Sequence, residues 1–314
     1  MTAAARSPVL VAPTAFRGTL RAPEVAAALA RGLEAGGWPV DPCPVADGGA
    51  GTLEVLLPAL AGETGAVEVG GRPVGIGLLD GGATALVELA SVLDGTAASS
   101  APAGELLLAA AATGAEVLLV AAGDVLAGDG GAGALGAIAE GGGLRTALVV
   151  LCDVRTSIDR LAEALAGGGR LDRPRAAALG RELEALAGRL PRDPRSLAYG
   201  GAGGGIAGAL WAACDARLEG GASFVLEALD FDARLRAARA AIVGEGRLDL
   251  GTLAGKAPGE IATRARQGGI PCFAAVGSRT LDAFGARILD LQAVLEAGDP
   301  SGLEAAGRRL ATLV

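Results

Sequence analysis

Short apolar runs alternate with segments of helical period at both ends of this chain. Residues 9–12 are continuously apolar, as expected of a strand buried on both faces. A loop covers 13–20. Residues 22–33 repeat apolar positions at helical spacing, with Pro23 suited to a first turn and Gly36-Gly37 to an end. A strand at 40–45 leads into Asp47-Gly48-Gly49-Ala50-Gly51-Thr52 and another helix, which completes a βαβα pattern and predicts a parallel sheet. From about residue 66 the texture changes to short strands at 67–69, 76–79 and 85–89 with glycine-rich turns. A helix at 105–112, strands at 117–121 and 148–151, and helical stretches across 157–190 follow, the last broken by Gly167-Gly168-Gly169 and Pro174. A glycine loop at 200–205 precedes a helix at 206–214. The last third returns to α/β alternation: a strand at 240–243, a glycine- and charge-rich loop, a helix at 258–267 and a strand at 271–276.

The pattern predicts an α/β chain of two domains. A doubly wound, Rossmann-like parallel-sheet domain is built from both chain ends, 1–66 and 225–314, and a mixed α/β domain, 67–224, is inserted. The site is expected in the cleft between them. The most apolar stretch, 106–123, is interrupted by Gly114 and Glu116 and reads as a helix and a strand, so no membrane span is expected.

Composition narrows the chemistry. The 314 residues include no histidine, which removes imidazole bases, Ser-His-Asp triads and histidine metal ligands. A general base must then be a carboxylate, with Lys256 and Tyr199 as the remaining options, and a metal would be a hard, oxygen-bound ion such as Mg²⁺. A net charge of -8 argues against nucleic acid or an anionic membrane as partner, while a small anionic substrate stays open. Cys43, Cys152, Cys214 and Cys272 are scattered and read as reduced thiols of a cytoplasmic protein. Lys256 is the chain's one lysine.

That lysine lies in Gly244-Glu245-Gly246-Arg247-Leu248-Asp249-Leu250-Gly251-Thr252-Leu253-Ala254-Gly255-Lys256-Ala257-Pro258. Glycines, carboxylates and cations converge there after a strand and before a helix, as phosphate binding requires. Gly251 to Lys256 is one residue short of a Walker A spacing, and Ala257 stands where that motif has Ser or Thr. Asp-Gly-Gly-Ala-Gly occurs twice, at 47–51 and 129–133, each time between an apolar run and a helix. Such a turn either offers backbone N–H groups to an anion or caps its own helix. Arg17 and Asp153 read equally as ligand contacts or as ordinary loop residues. The glycines at 200–205 either meet phosphates or allow close packing. Arginines at 170–195 lie at helical spacing beside Glu182 and Glu184, a solvated face. No G-x-G-x-x-G follows the first strand, which sets aside a dinucleotide-dependent oxidoreductase.

Together these segments resemble the bacterial class I glycerate kinases, which form 2-phosphoglycerate from glycerate and ATP. Residues 12–19 are similar to that family's A-P-D-S-F-K-G-S, 46–52 to A-D-G-G-E-G-T, 123–133 to G-G-S-A-T-N-D-G-G-A-G, and 201–210 to G-A-G-A-A-G-G-L-G-A-A-L. The closest match is 244–258 to G-E-G-R-L-D-x-Q-S-x-x-G-K-x-P. The chain departs from the family at Thr14, Ala15, Arg17, Ala50, Asp124 and Gly128, and at 99–104 where the family has T-S-Y-G-T-G. The resemblance implies ATP-dependent phosphorylation of glycerate or a related 2-hydroxy acid, with Mg²⁺. For such a reaction charge type assigns catalytic roles to Lys256 and to Asp249 or Asp129, which the sequence does not rank, and acceptor contacts to Arg17, Arg247, Asp47, Gly48 and Gly49. Gly130, Gly131, Gly203, Gly204, Gly246 and Gly255 would meet phosphates or nucleotide, and Asp249 with Glu245 would hold the metal. A shifted acceptor, a non-catalytic anion- or nucleotide-binding paralogue and a homodimer all stay open.

Overall fold

The protein was described by a computed structural model covering residues 6–94 and 96–314. Along the chain the strands are β1 (Val9–Pro13), β2 (Val40–Pro42), β3 (Glu63–Val69), β4 (Arg72–Leu79), β5 (Thr84–Glu88), β6 (Thr96–Ala97), β7 (Val117–Ala121), β8 (Leu126–Ala127), β9 (Ala147–Cys152), β10 (Arg217–Gly220), β11 (Ala240–Leu248), β12 (Cys272–Arg279) and β13 (Leu291–Glu296). The helices are α1 (Ala22–Ala35), α2 (Thr52–Ala59), α3 (Ala101–Ala111), α4 (Ala132–Glu140), α5 (Ile158–Gly167), α6 (Arg173–Ala187), α7 (Ile206–Cys214), α8 (Gly221–Ala228), α9 (Phe231–Ala237), α10 (Leu250–Leu253), α11 (Ala257–Gly268), α12 (Ala283–Ile288) and α13 (Pro300–Leu310). The architecture is α/β. The chain divides into two compact units, the first comprising the chain up to Ala46 with Val225–Val314, the second Asp47–Phe224. Residues 47–66, grouped with the first unit in the sequence reading, fall in the second, where α2 packs on β4 and β5.

The first unit is built on a parallel sheet in the order β13-β12-β11-β1-β2. Every residue of β1 is buried, which explains its continuously apolar run. Val9, Val11, Ile242, Phe273 and Ala275 share a core with Leu29, Leu33, Leu303 and Leu310 of α1 and α13. These two helices cross very closely: a Cβ on Gly32 would lie 2.1 Å from the Glu304 carbonyl oxygen. The intervening strand residues Leu10, Ala241, Val243 and Ala274 are equally buried, so both sheet faces are covered. The strand expected at 240–243 runs on to Leu248. Pairing with β12 through Arg247 and Ser278 and through Leu248 and Arg279 overrides the loop-like glycines of the sequence.

The second unit has a six-stranded sheet in the order β10-β9-β7-β5-β4-β3. Strands β5, β7, β9 and β10 are parallel, whereas β3, β4 and β5 form antiparallel hairpins. A short parallel pair, β6 and β8, lies in the segment that the sequence reads as loop. The core combines Val87, Leu118, Val120 and Val150 of the sheet with Leu106, Leu107 and Ile206 of α3 and α7. A smaller cluster of Leu126, Ile158, Leu161, Leu165, Leu179 and Leu183 covers the inner faces of α5 and α6. Pro174 opens α6 rather than breaking a longer helix. Among the described residues no helix is long and apolar enough to cross a membrane.

Candidate active site

In the first unit the strand order reverses between β1 and β11, because β2 lies to one side and β12 and β13 to the other. Open parallel sheets bind ligands at the carboxyl ends of strands beside such a reversal. The loops that leave β1 and β11 at this point carry Arg17 and the segment ending in Lys256. Their backbones are in contact. Thr14 donates its N–H (2.8 Å) and hydroxyl (3.1 Å) to the Gly244 carbonyl, and a Cβ on Gly246 would lie 3.4 Å from the Arg17 nitrogen. Arg17, Glu245, Gly246, Arg247, Asp249, Gly255 and Lys256 therefore belong to one end of one sheet.

The lysine segment is rigidly organised. Glu245, on β11, is buried and accepts the Thr252 hydroxyl at 2.6 Å. Thr252, fully buried, accepts the Asp249 N–H at 3.2 Å. Asp249 in turn accepts the Gly251 N–H at 2.8 Å and caps α10, while Arg247 approaches its other oxygen at 3.5 Å. Reciprocal bonds of this kind satisfy the orphan donors of a short helix and hold it in place. Gly255 then adopts φ +123, a backbone conformation side chains resist. Lys256 is the N-cap residue of the twelve-residue α11, with its carbonyl accepting the Glu260 N–H. A Cβ on Gly251 would lie 3.5 Å from the lysine Cε, so the amine-bearing chain runs back over α10. The result is a cation at the positive end of a helix dipole, beside a glycine-rich turn, a setting suited to anionic oxygens.

In the second unit the 47–52 turn lies on the carboxyl ends of the parallel strands. The Gly123 N–H, just beyond β7, donates to the Gly48 carbonyl at 2.8 Å. Gly221, after β10, approaches so closely that a Cβ there would lie 2.1 Å from the Asp47 carbonyl oxygen. Asp47 and Asp153 are buried. Asp124, at φ +64, extends its carboxylate over Gly49: a Cβ at that glycine would sit 2.5 Å from Asp124 Oδ2. The Asp124 N–H points to Asp153 Oδ2 at 3.4 Å. Glu88, at the end of β5, accepts the Leu53 N–H at 2.7 Å. Burial pushes the Glu88 carboxyl above its ordinary value, against the pull of N–H groups from Leu53, Gly51 and Thr52, and nearby Asp124 adds to the rise. Sequence reasoning passed over Glu88. Its only sequence signal is a carboxylate closing an apolar run that ends a parallel strand.

The second Asp-Gly-Gly-Ala-Gly copy is occupied differently. Asp129 accepts N–H groups from Ser100 (2.9 Å), Gly131 (3.1 Å) and Gly133 (3.0 Å), and Ser100 accepts the Ala134 N–H at 2.9 Å. Burial works to raise the Asp129 pKa, but these hydrogen bonds outweigh it and hold the carboxyl below its ordinary value. Gly131 thus has its N–H engaged within the turn. Gly130 packs against the 200–205 loop, where a Cβ on Gly205 would lie 3.0 Å from the Gly130 oxygen, and Gly131 packs against Ile206 and Ala209 of α7. Gly203 and Gly204 are buried, both at positive φ, and a Cβ on Gly204 would meet the Ala127 nitrogen at 2.3 Å. Close packing of two glycine-rich segments accounts for Gly130, Gly131, Gly203 and Gly204. Among the described residues no group of three Asp, Glu or Cys side chains is arranged to hold a metal ion by itself. Mg²⁺ commonly takes only one or two carboxylates beside phosphate oxygens and water, so Asp249 and Glu245 remain a suitable donor set.

The chain matches the profile of the glycerate kinase family over residues 9–141 and 171–311. It is 30% identical to the glycerate kinase of Bacillus subtilis (strain 168), covering 87% of this chain and 86% of the relative. It is 29% identical to the glycerate kinase of Halalkalibacterium halodurans over 97% of both chains. It is also 29% identical to the glycerate 2-kinase of Escherichia coli (strain K12), over 87% of this chain and 86% of that one. A solved structure assigned as glycerate kinase 2 from Salmonella typhimurium LT2 superposes with a TM-score of 0.69 at 27% identity, covering 98% of this chain and 97% of that one. The match spans both units and includes the lysine segment, the loop after β1 and the 47–52 turn. By these residues and this fold the chain belongs to the glycerate kinase family.

Proposed function

We propose that this protein transfers the terminal phosphoryl group of ATP to a hydroxyl of glycerate, giving 2-phosphoglycerate. The observation that carries the reading is Lys256 at the N-terminus of α11, next along the chain to the Glu245–Thr252–Asp249 network beside the β1/β11 strand reversal. Phosphoryl transfer asks for positioning and charge neutralisation more than covalent participation. Lys256 neutralises phosphate oxygens, aided by the backbone around Gly246 and Gly255. Arg17 and Arg247 engage the acceptor carboxylate, since a guanidinium matches a carboxylate in two-point contact. Asp47 and the Gly48-Gly49 backbone are proposed acceptor contacts. Asp249 orients the attacking hydroxyl. Asp129 contributes indirectly, by holding the 129–133 turn. Mg²⁺, bound with ATP, would spread phosphate charge, with Asp249 and Glu245 as its protein donors.

A coupled assay of ADP release with glycerate and analogues tests the reaction, and phosphorus NMR of the product assigns the position. Absence of ADP release with every hydroxy acid, in protein that binds ATP, would sink the proposal. A second reading has its own support: Asp124 places a carboxylate over Gly49 where the related motif has glycine, so the acceptor pocket carries altered charge. That favours an acceptor other than glycerate, and a panel varying chain length and charge distinguishes the two by kcat/KM.

A further inference from the structure

The two identical Asp-Gly-Gly-Ala-Gly turns present the same structural problem. Each leads into a helix whose N-cap residue is a glycine at positive φ without a capping side chain: the first ends at Gly51 (φ 90) before α2, and the second runs two residues into α4 past its N-cap Gly131 (φ 103). The first amides of both helices need acceptors. At α4 the acceptor is the pentapeptide's own Asp129. At α2 it arrives from 35 residues along the chain: Glu88, on β5, accepts the Leu53 N–H and faces those of Gly51 and Thr52. Glu88 therefore takes at α2 the part that Asp129 takes at α4.

We propose that Glu88 is a positioning residue, whose carboxylate fixes the α2 N-terminus and through it the 47–49 turn. The inference rests on the reading above that this turn contacts the acceptor. Its geometry stands independently. The turn is tied directly to the end of β7 by the Gly123–Gly48 hydrogen bond, and through α2, where Glu88 accepts the Leu53 N–H, to β5. Loss of the second tie leaves the Leu53 N–H without its acceptor, while the Thr52 N–H keeps the Gly49 carbonyl, and frees α2 and the turn it carries to shift along the strand ends. A displacement of about 1 Å in a substrate-positioning group can cost about 100-fold in rate.

The test is Glu88→Gln in the full-length protein, since a glutamine oxygen can accept one of these amides but its NH₂ group opposes the others. Amide exchange by mass spectrometry should quicken about 10-fold or more both at 51–53 and at 48–49. Quickening confined to 51–53 would overturn the positioning role, and unchanged exchange would overturn the cap itself. Kinetically, kcat/KM for the acid should fall about 10- to 100-fold while KM for ATP stays within about twofold. A proportional loss in both substrates, tracking the folded fraction, would reduce Glu88 to a stabilising residue. If the unaltered protein proves to have no kinase activity, the proposed reaction fails, and exchange at 48–49 still decides the role of Glu88.

Discussion

Lys256 owes its setting to three neighbours in sequence and one in space. Pro258 and Glu260 start α11 behind it, Gly255 supplies the left-handed turn before it, and Gly251 gives its side chain room to lie over α10. In the proposed reaction Lys256 is a preorganised cation on the transferring phosphoryl group, and its replacement by alanine is then expected to cost about 100- to 1000-fold in kcat. Arginine at this position should recover only part of the loss, because a planar guanidinium does not occupy the volume of an ammonium. Steady-state assays of K256A and K256R check both statements. As the one lysine of the chain, Lys256 should, on the proposed role, be labelled by amine-directed nucleotide analogues. Asp129 makes a different case. Its carboxyl titrates below the ordinary aspartate value, so its contribution to stability is present above about pH 4 and fades as pH falls through that lowered value. Asp129→Ala should cost about 1–2 kcal/mol at neutral pH. The difference from the unaltered protein should shrink on acidification, as urea melts at several pH values would record.

At the scale of elements, the lysine segment is less a loop than the continuation of β11 followed by a four-residue helix. Its glycines and charges read as loop because neither strand propensity nor periodicity reveals pairing with a strand thirty residues on. Thr252 ties this small structure together by donating to Glu245 and accepting from Asp249. Thr252→Val keeps the shape and removes both bonds, with an expected loss of about 1–3 kcal/mol. The melting temperature should fall and KM for ATP should rise. A fall in stability with unchanged KM would separate the network from phosphate binding. The opposite lesson comes from 200–205. A glycine run that looks fit for phosphate is buried at Gly203 and Gly204, and the φ values and close contacts there explain the composition without a ligand.

For the whole molecule, each unit has its own hydrophobic core and its own tryptophan. Trp38 donates to the Ala311 carbonyl in the first unit, and Trp211 lies under the Arg192 guanidinium in the second. Single-tryptophan variants made with phenylalanine thus report unfolding unit by unit. ATP at about 100 times its Kd should raise the stability reported by Trp38 by about 2.7 kcal/mol. Denaturant titrations with and without nucleotide measure this, and no shift at Trp38 would remove nucleotide binding from the first unit. The α/β class, the parallel strands at both chain ends and the lysine-bearing segment could all be read from sequence, since apolar runs, helical periods and residue chemistry are local properties. Family membership was likewise carried by motifs, most of all 244–258. Tertiary structure alone decided the rest. It paired β1 with β11, which are far apart in the chain, and so made a strand reversal of their loops. It gave the two identical pentapeptides different carboxylates, Asp129 for one and Glu88 for the other. Hydrogen-bond partners distant in sequence are set by packing, and no local pattern encodes them.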